Sequence, residues 1–159
     1  MKKITSNGDK MYILDNFLSP RLCKKYFKMI NDIGYQENSL PWEDRIIDIT
    51  KDPIVQKVTK YINKRFNNKL VIEQEEIQNH HAGSSARLHI HNHCGREHIE
   101  YNSLINEKFK GGEFYTKNGI NLKPKTGMLT FFNGQNVHHG VKKVLDNDRK
   151  TIIFWWRKN

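Results

Sequence analysis

All eight histidines of this 159-residue sequence lie between positions 80 and 139. Six fall in His80 to His98, and His138 and His139 complete the set. Within Leu88-His89-Ile90-His91-Asn92-His93 the imidazoles recur at every second position. On a strand that spacing turns them to one face. Two ligands at i and i+2, joined by a third from a distant strand, make a common metal-binding geometry, and imidazole suits iron, zinc, copper or nickel. The competing reading is a polar surface strand with incidental histidines. It is the weaker reading for His89 and His139, and the preferred one for His80, His81, His93 and His98 taken singly.

His139 also belongs to a second suggestive stretch. Phe131-Phe132 leads into Asn133-Gly134, a strong turn signal, then to His139, and Arg149 follows ten residues later. A histidine and an arginine on neighbouring strands would let one hold a metal while the other grips a carboxylate beside it. His138 would point away from His139 in a strand and is not counted as a ligand. The alternative for Arg149 is a surface arginine at a strand start.

These residues need elements to position them. The stretch from Tyr12 to Leu18 starts extended. Ser19 is suited to cap a helix with Pro20 at its first position. Leu22, Cys23, Tyr26, Phe27 and Ile30 follow at helical spacing, ending near Gly34. A polar loop from Gln36 to Glu43 comes next. Pro53 opens a second amphipathic helix with Val55, Val58, Tyr61 and Ile62 inward. Its other face, Lys57, Lys60, Lys64 and Arg65, reads as solvated. From Val71 the pattern becomes strand-like: Val71 to Gln78, Arg87 to His93, the region of Ile99 to Ile105, Glu113 to Thr116, Met128 to Phe132, and Thr151 to Trp156. Of Trp155 and Trp156, one is expected in the core and the other nearer the surface. Two helices followed by short strands predict an α+β domain with an antiparallel sandwich or barrel.

The length suits a single domain, 1–159, helical over about 1–68 and β over about 69–159. Hydrophobic residues at 36% are enough for a core. No apolar run would span a bilayer, and Met1-Lys2-Lys3-Ile4-Thr5-Ser6 lacks a signal-peptide core, which predicts a cytoplasmic protein without membrane association. Cys23 and Cys94, far apart in sequence, are expected as thiols. The formal charge of +10 permits attraction to nucleic acid or acidic partners. Since no Lys/Arg block exceeds three residues, the preferred reading is a Lys- and Asn-rich composition spread over the surface.

With these residues in hand, nearly the whole chain resembles the 2-oxoglutarate- and Fe(II)-dependent dioxygenases, in their prolyl 4-hydroxylase-like branch. Leu14-Asp15-Asn16-Phe17-Leu18-Ser19 followed by Cys23 looks like the family's start. Gly83 stands six residues before His89, as the family's glycine stands before its first iron-binding histidine. Asn106-Glu107-Lys108-Phe109-Lys110-Gly111-Gly112-Glu113 resembles its strand-turn-strand signature, and Pro124, Gly127 and Phe132 its next turn and strand. His139-Gly140-Val141-Lys142-Lys143-Val144 with Arg149 resembles its second histidine and its 2-oxoglutarate-binding basic residue. Any one motif is weak, but their joint order is fairly specific.

The resemblance implies a double-stranded β-helix, a jelly-roll or cupin-like core with N-terminal bracing helices. It implies Fe(II) on His89, His91 and His139, and 2-oxoglutarate as co-substrate with its far carboxylate on Arg149. Thr151, on the same strand face as Arg149, and Ser103, near where the family has a tyrosine, are the further candidates for that carboxylate. Dioxygen and 2-oxoglutarate are the implied partners, and hydroxylation of an unidentified protein, nucleic acid or small molecule the implied reaction. The region from Gln36 to Asp52, with Trp42, is a candidate entry. One departure is plain: where the family has His-X-Asp or His-X-Glu, this chain has His89-Ile90-His91. A three-histidine site, a slip to His91 and His93, a weak or dead site, and a carboxylate looped back from Glu97 or Glu100 are the readings this leaves open, the first preferred. Two other classes compete: a three-histidine cupin-like metalloenzyme without 2-oxoglutarate, and an inactive binding module on the same fold.

Overall fold

The computed structural model describes residues 1–33, 43–47, 52–67, 69–91, 98–104 and 109–158; for residues 27, 29–33, 43–47, 98–104 and 158 it describes the backbone alone. Gly34, most of the loop from Gln36 including Trp42, His93, Cys94, Glu97 and Asn106 to Lys108 lie outside the described residues.

A hairpin opens the chain. β1 (Lys2–Ser6) and β2 (Asp9–Leu14) pair antiparallel around Asn7-Gly8, which takes φ of 43° and 93°. Asn-Gly tolerates positive φ at both turn positions, the requirement of a two-residue hairpin. The expectation that two helices precede every strand is therefore corrected. The strands are short and carry Lys2, Lys3 and Lys10 on their exposed sites, so composition hides them although the turn residues declare them.

α1 (Pro20–Ile33) begins where Ser19 predicts. The Leu22 N–H donates to Ser19 Oγ at 3.4 Å, and Cys23 and Tyr26 are buried. β3 (Glu43–Ile47), at the end of the expected loop, is a strand whose pairing only tertiary contact supplies. α2 (Pro53–Phe66) is capped by Asp52, whose carboxylate accepts the Ile54 N–H at 3.0 Å, and is stopped by Asn67 at φ 51°. It buries Ile54, Val55, Val58 and Ile62, with Tyr61 half-buried.

The strands β4 (Leu70–His80), β5 (Ala86–His89), β6 (His98–Leu104), β7 (Lys110–Gly111), β8 (Phe114–Thr116), β9 (Asn121–Leu122), β10 (Leu129–Phe132), β11 (His139–Val141), β12 (Val144–Asp146) and β13 (Arg149–Lys158) follow. Among the described residues they form a seven-stranded sheet ordered β1-β2-β10-β6-β13-β4-β3, a four-stranded sheet ordered β5-β11-β8-β9, and the small pair β12-β7. These strand pairings are all antiparallel.

The large sheet is buried on both faces, which explains why β13 reads as nearly continuous apolar sequence. On one face Ile77, Ile152, Phe154 and Trp156 join Cys23 and Tyr26 of α1 and Val55, Val58 and Ile62 of α2 in a single cluster. Trp156 Nε1 donates to Thr59 Oγ1 of α2 at 2.8 Å. On the other face Met11, Ile13 and Phe132 pack with Phe114, Ile120 and Val137 toward the small sheet. Trp155 and Trp156 do alternate faces, but both are buried, at 9% and 0% exposure, because both faces of β13 are covered. Among the described residues no helix is long and apolar enough to cross a membrane.

Candidate metal centre

β5 and β11 are adjacent antiparallel strands, and their register sets His89 directly opposite His139. Directly paired residues share a sheet face, so the two imidazoles meet; their ring centroids are 4.5 Å apart. Gly140 permits this close packing. A Cβ there would stand 2.7 Å from the Ala86 oxygen of β5 and 2.9 Å from the Tyr115 ring of β8.

His91 lies just beyond the end of β5. Its N–H donates to the Gly134 carbonyl at 3.0 Å. The Asn133 side chain in turn accepts the N–H groups of Gln135 and Asn136, at 3.0 and 3.2 Å. The Asn133-Gly134 turn thus does two things: it carries the chain from β10 in the large sheet to β11 in the small one, and it holds His91 beside His139.

One ligand nitrogen from each of His89, His91 and His139 lies within 4.8 Å of the others. His91 Nε2 and His139 Nε2 are 3.2 Å apart. Two nitrogens each about 2.0–2.1 Å from one ion would stand roughly 2.9–3.4 Å apart at right-angled to tetrahedral geometry. His89 Nδ1 faces the Arg87 carbonyl and His139 Nδ1 the Val137 carbonyl, both at 2.8 Å. A carbonyl can only accept, so Nδ1 carries the proton in each ring and Nε2 presents the lone pair, the usual arrangement of metal-ligating imidazole. Phe114 stacks on His139 at 5.5 Å, Phe132 meets it edge-on at 4.8 Å, and Trp155 meets His91 edge-on at 4.7 Å. The burial is graded: His139 is 3% exposed, His91 intermediate and His89 exposed, so the cluster opens to solvent on the His89 side. His138 is exposed.

Arg149 and Thr151 lie on the large sheet. β11 and β13 are therefore strands of different sheets, not neighbours as the sequence suggested, because the turn after β10 changes sheet. Arg149 is 3% exposed, and its Cδ lies 3.0 Å from where a Cβ on Gly112 would stand, so glycine at 112 makes room for it. Thr151 is 1% exposed, and its Oγ1 has no hydrogen-bond partner among the described residues. A buried hydroxyl without a partner is costly, which suits a seat for an acceptor supplied by a ligand. The start of β13 is tied down by Asp148. Its carboxylate accepts from Asn79 Nδ2 at 3.0 Å and the Ala82 N–H at 3.1 Å, and meets His81 Nδ1 at 3.3 Å. Burial pushes the Asp148 carboxyl up, but these bonds and the His81 charge outweigh it and leave it below its ordinary value. Ser103 stands opposite Ile152 in register, while Thr151 stands opposite Leu104.

Sequence inspection passes over Gln74, Glu76 and Gln78 here, and its preferred reading of His80 as an incidental surface histidine is corrected, since His80 is 3% exposed. β4 sets His80 opposite Arg149, Gln78 opposite Thr151, Glu76 opposite Ile153 and Gln74 opposite Trp155. Glu76 is 0% exposed, and its carboxylate accepts from Gln78 Nε2 and, at 3.4 Å, from Gln74 Nε2. A run of polar residues, Glu73 to Glu76 and Gln78 to His80, in a strand that begins with Leu70-Val71-Ile72 was the available signal. It is read as a solvent face when only one face of the sheet is expected to be buried.

No protein-family model and no curated protein matches the sequence. Solved structures do. The chain is similar to the collagen prolyl hydroxylase of Paramecium bursaria Chlorella virus-1 in its 2-oxoglutarate complex, at 16% identity over 98% of this chain and 99% of that one, with a TM-score of 0.78. It is similar to a Pseudomonas putida prolyl-4-hydroxylase at 15% identity over 96% and 94% of the two chains, with a TM-score of 0.77. It is similar to HygX of Streptomyces hygroscopicus with nickel and 2-oxoglutarate bound, at 10% identity over 94% and 83%, with a TM-score of 0.75. At these identities the likeness establishes the fold: the two antiparallel sheets are those of the 2-oxoglutarate–Fe(II) oxygenase structures.

Proposed function

We propose that this chain is an Fe(II)- and 2-oxoglutarate-dependent dioxygenase acting as a hydroxylase, with His89, His91 and His139 as the metal ligands and Arg149 with Thr151 as the seat of the 2-oxoglutarate far carboxylate. One observation carries the reading: three imidazole nitrogens converge within 4.8 Å in a fold that also buries, on the other sheet, an arginine and a hydroxyl with no partner among the described residues. A guanidinium and a hydroxyl on one strand face are groups that suit a carboxylate. This favours the proposal over a three-histidine site that does without 2-oxoglutarate.

Bound Fe(II) would couple oxidative decarboxylation of 2-oxoglutarate by dioxygen to hydroxylation of a second substrate. The chain's own residues orient and shield that chemistry. The Nδ1 bonds of His89 and His139 fix both rings with Nε2 inward. The Arg149 guanidinium offers a paired, charge-assisted grip that a carboxylate matches, and Thr151 adds one donor. Phe114, Phe132 and Trp155 line the rings and keep water from the buried side. With histidine at position 91 the ligand set carries no charge, so the ion keeps one more unit of positive charge than with a carboxylate there. That favours dianionic 2-oxoglutarate. The helices α1 and α2 complete the reading as braces of the large sheet.

The test is succinate formation. Anaerobically purified protein given Fe(II) and 2-oxoglutarate should release succinate when oxygen is admitted, and Arg149→Ala should abolish it. Metal binding without 2-oxoglutarate binding would instead support the cupin-like reading, and absence of metal binding an inactive module.

A further inference from the structure

The charge of this protein is not spread over its surface. α1 and α2 together span 28 residues, and these hold eight basic residues against one acidic, a net +7 of the chain's +10. The other 131 residues hold the remaining +3.

The two helices form one layer. Their apolar sides join the same cluster over the large sheet, and Asp52 at the start of α2 meets Lys25 at 3.0 Å and Tyr26 at 2.5 Å on α1. The outer sides of α2 and of the first half of α1 are basic. Arg21, Lys24, Lys25 and Lys28 are exposed on α1, and Lys57, Lys60, Lys64 and Arg65 on α2. At spacings of three and four these side chains are neighbours of like charge, which disfavours a helix. Lys64 and Arg65 suit the negative end of the α2 dipole. Arg21 and Lys24 stand at the positive end of α1, where cations are unfavourable and acids customary. A face merely solvated would mix signs; this one accumulates a single sign against local electrostatics.

We infer that the α1–α2 layer is a docking surface for the sugar-phosphate backbone of a nucleic acid. Three lysines at 57, 60 and 64 climb about 10 Å of helix, a row of point charges matched to a row of phosphates. An anionic membrane is the weaker partner. Interfacial helices insert apolar side chains, and α2, whose side chains are all described, exposes no large hydrophobic. The layer covers the large-sheet face opposite the histidine cluster, so the contact tethers the protein rather than delivering a base to the metal. The inference stands independently of the proposed chemistry.

The experiment is fluorescence anisotropy of a labelled DNA duplex titrated with the full chain across a series of salt concentrations. Affinity should fall linearly with salt on logarithmic axes. Lys57→Gln/Lys60→Gln/Lys64→Gln should weaken binding at least tenfold and flatten the salt slope by about 2–3. Lys2→Gln/Lys3→Gln/Lys10→Gln removes the same charge from the hairpin and should leave affinity within twofold. Circular dichroism checks folding, and Arg21→Gln/Lys24→Gln/Lys28→Gln on α1 serves as the second variant. Equal weakening by the helix and hairpin variants would overturn the proposal, as would absence of DNA binding. Binding to phosphatidylserine vesicles but not to DNA would assign the layer to lipid and overturn it too.

Discussion

His139 and Thr151 show how single residues divide the work. His139 has every neighbour it needs without a ligand: the Val137 carbonyl on Nδ1, two phenylalanine rings beside it, and His89 across the ladder. Thr151 does not. Its hydroxyl is buried without a hydrogen-bond partner among the described residues. Thr151→Val keeps the shape and removes the hydroxyl. Its expected effect is asymmetric: apo stability unchanged or raised by about 1 kcal/mol, and 2-oxoglutarate affinity lowered roughly tenfold. Calorimetric titration of 2-oxoglutarate into the Ni(II) form, Ni(II) being a redox-inert metal, reads the affinity, and a thermal melt of the metal-free protein reads the stability. An unchanged 2-oxoglutarate affinity would remove Thr151 from the seat.

At the scale of elements, the site depends on how closely strands approach and how firmly helices start. Gly140 sits between β5 and β8 where a Cβ would meet the Ala86 oxygen at 2.7 Å. Gly140→Ala should cost about 1–3 kcal/mol by overpacking and weaken metal binding as well, since the strands it pushes apart carry His89 and His139. A thermal melt and a metal titration of one sample check the two together. Asp52 anchors the helical layer. Burial raises its carboxyl, and the bonds from Tyr26, the Ile54 N–H and Lys25, with the Lys25 charge, outweigh that and hold it below its ordinary value. Tyr26 is pushed up from its usual range, first by burial and then by Asp52. A carboxyl with a lowered folded pKa stabilises the fold above its unfolded value, and that contribution disappears as pH falls through the folded pKa. Asp52→Asn should therefore be less stable than wild type in urea at neutral pH, with the gap closing in acid. A gap that persists unchanged in acid would mean the charge has no part in it.

The elements themselves were unevenly legible. α1 and α2 announce themselves through apolar spacing with Ser19-Pro20 and Asp52-Pro53 at their starts, signals local to a few residues. β1 and β2 are declared by Asn7-Gly8 alone, and β3 by nothing local: at the sheet's edge, it owes its state to β4, distant in sequence.

For the whole molecule, the consequence is a β13 covered on both faces, with apolar packing toward the helices on one side and buried Glu76, Gln78, Arg149 and Thr151 on the other. Ligands that bridge two sheets should stabilise the fold as one unit. Ni(II) with 2-oxoglutarate, each near 100 times its dissociation constant, should add about 2.7 kcal/mol per site occupied and raise Tm by several degrees. A chelator should reverse the shift. A shift from 2-oxoglutarate with no metal present would separate the two sites and count against a shared centre.

The sequence by itself determined which residues could do chemistry. Histidines at alternate positions, a turn-forming Asn133-Gly134 and an arginine ten residues past His139 are matters of type and spacing, and both survive any placement of the strands. Tertiary structure alone decided that Asn133-Gly134 switches sheets, that Arg149 lies in the large sheet while His139 lies in the small one, and that Glu76, Gln78 and His80 line an interior. A strand's alternation says which residues share a face. Only the packing of a second sheet and two helices says what that face meets.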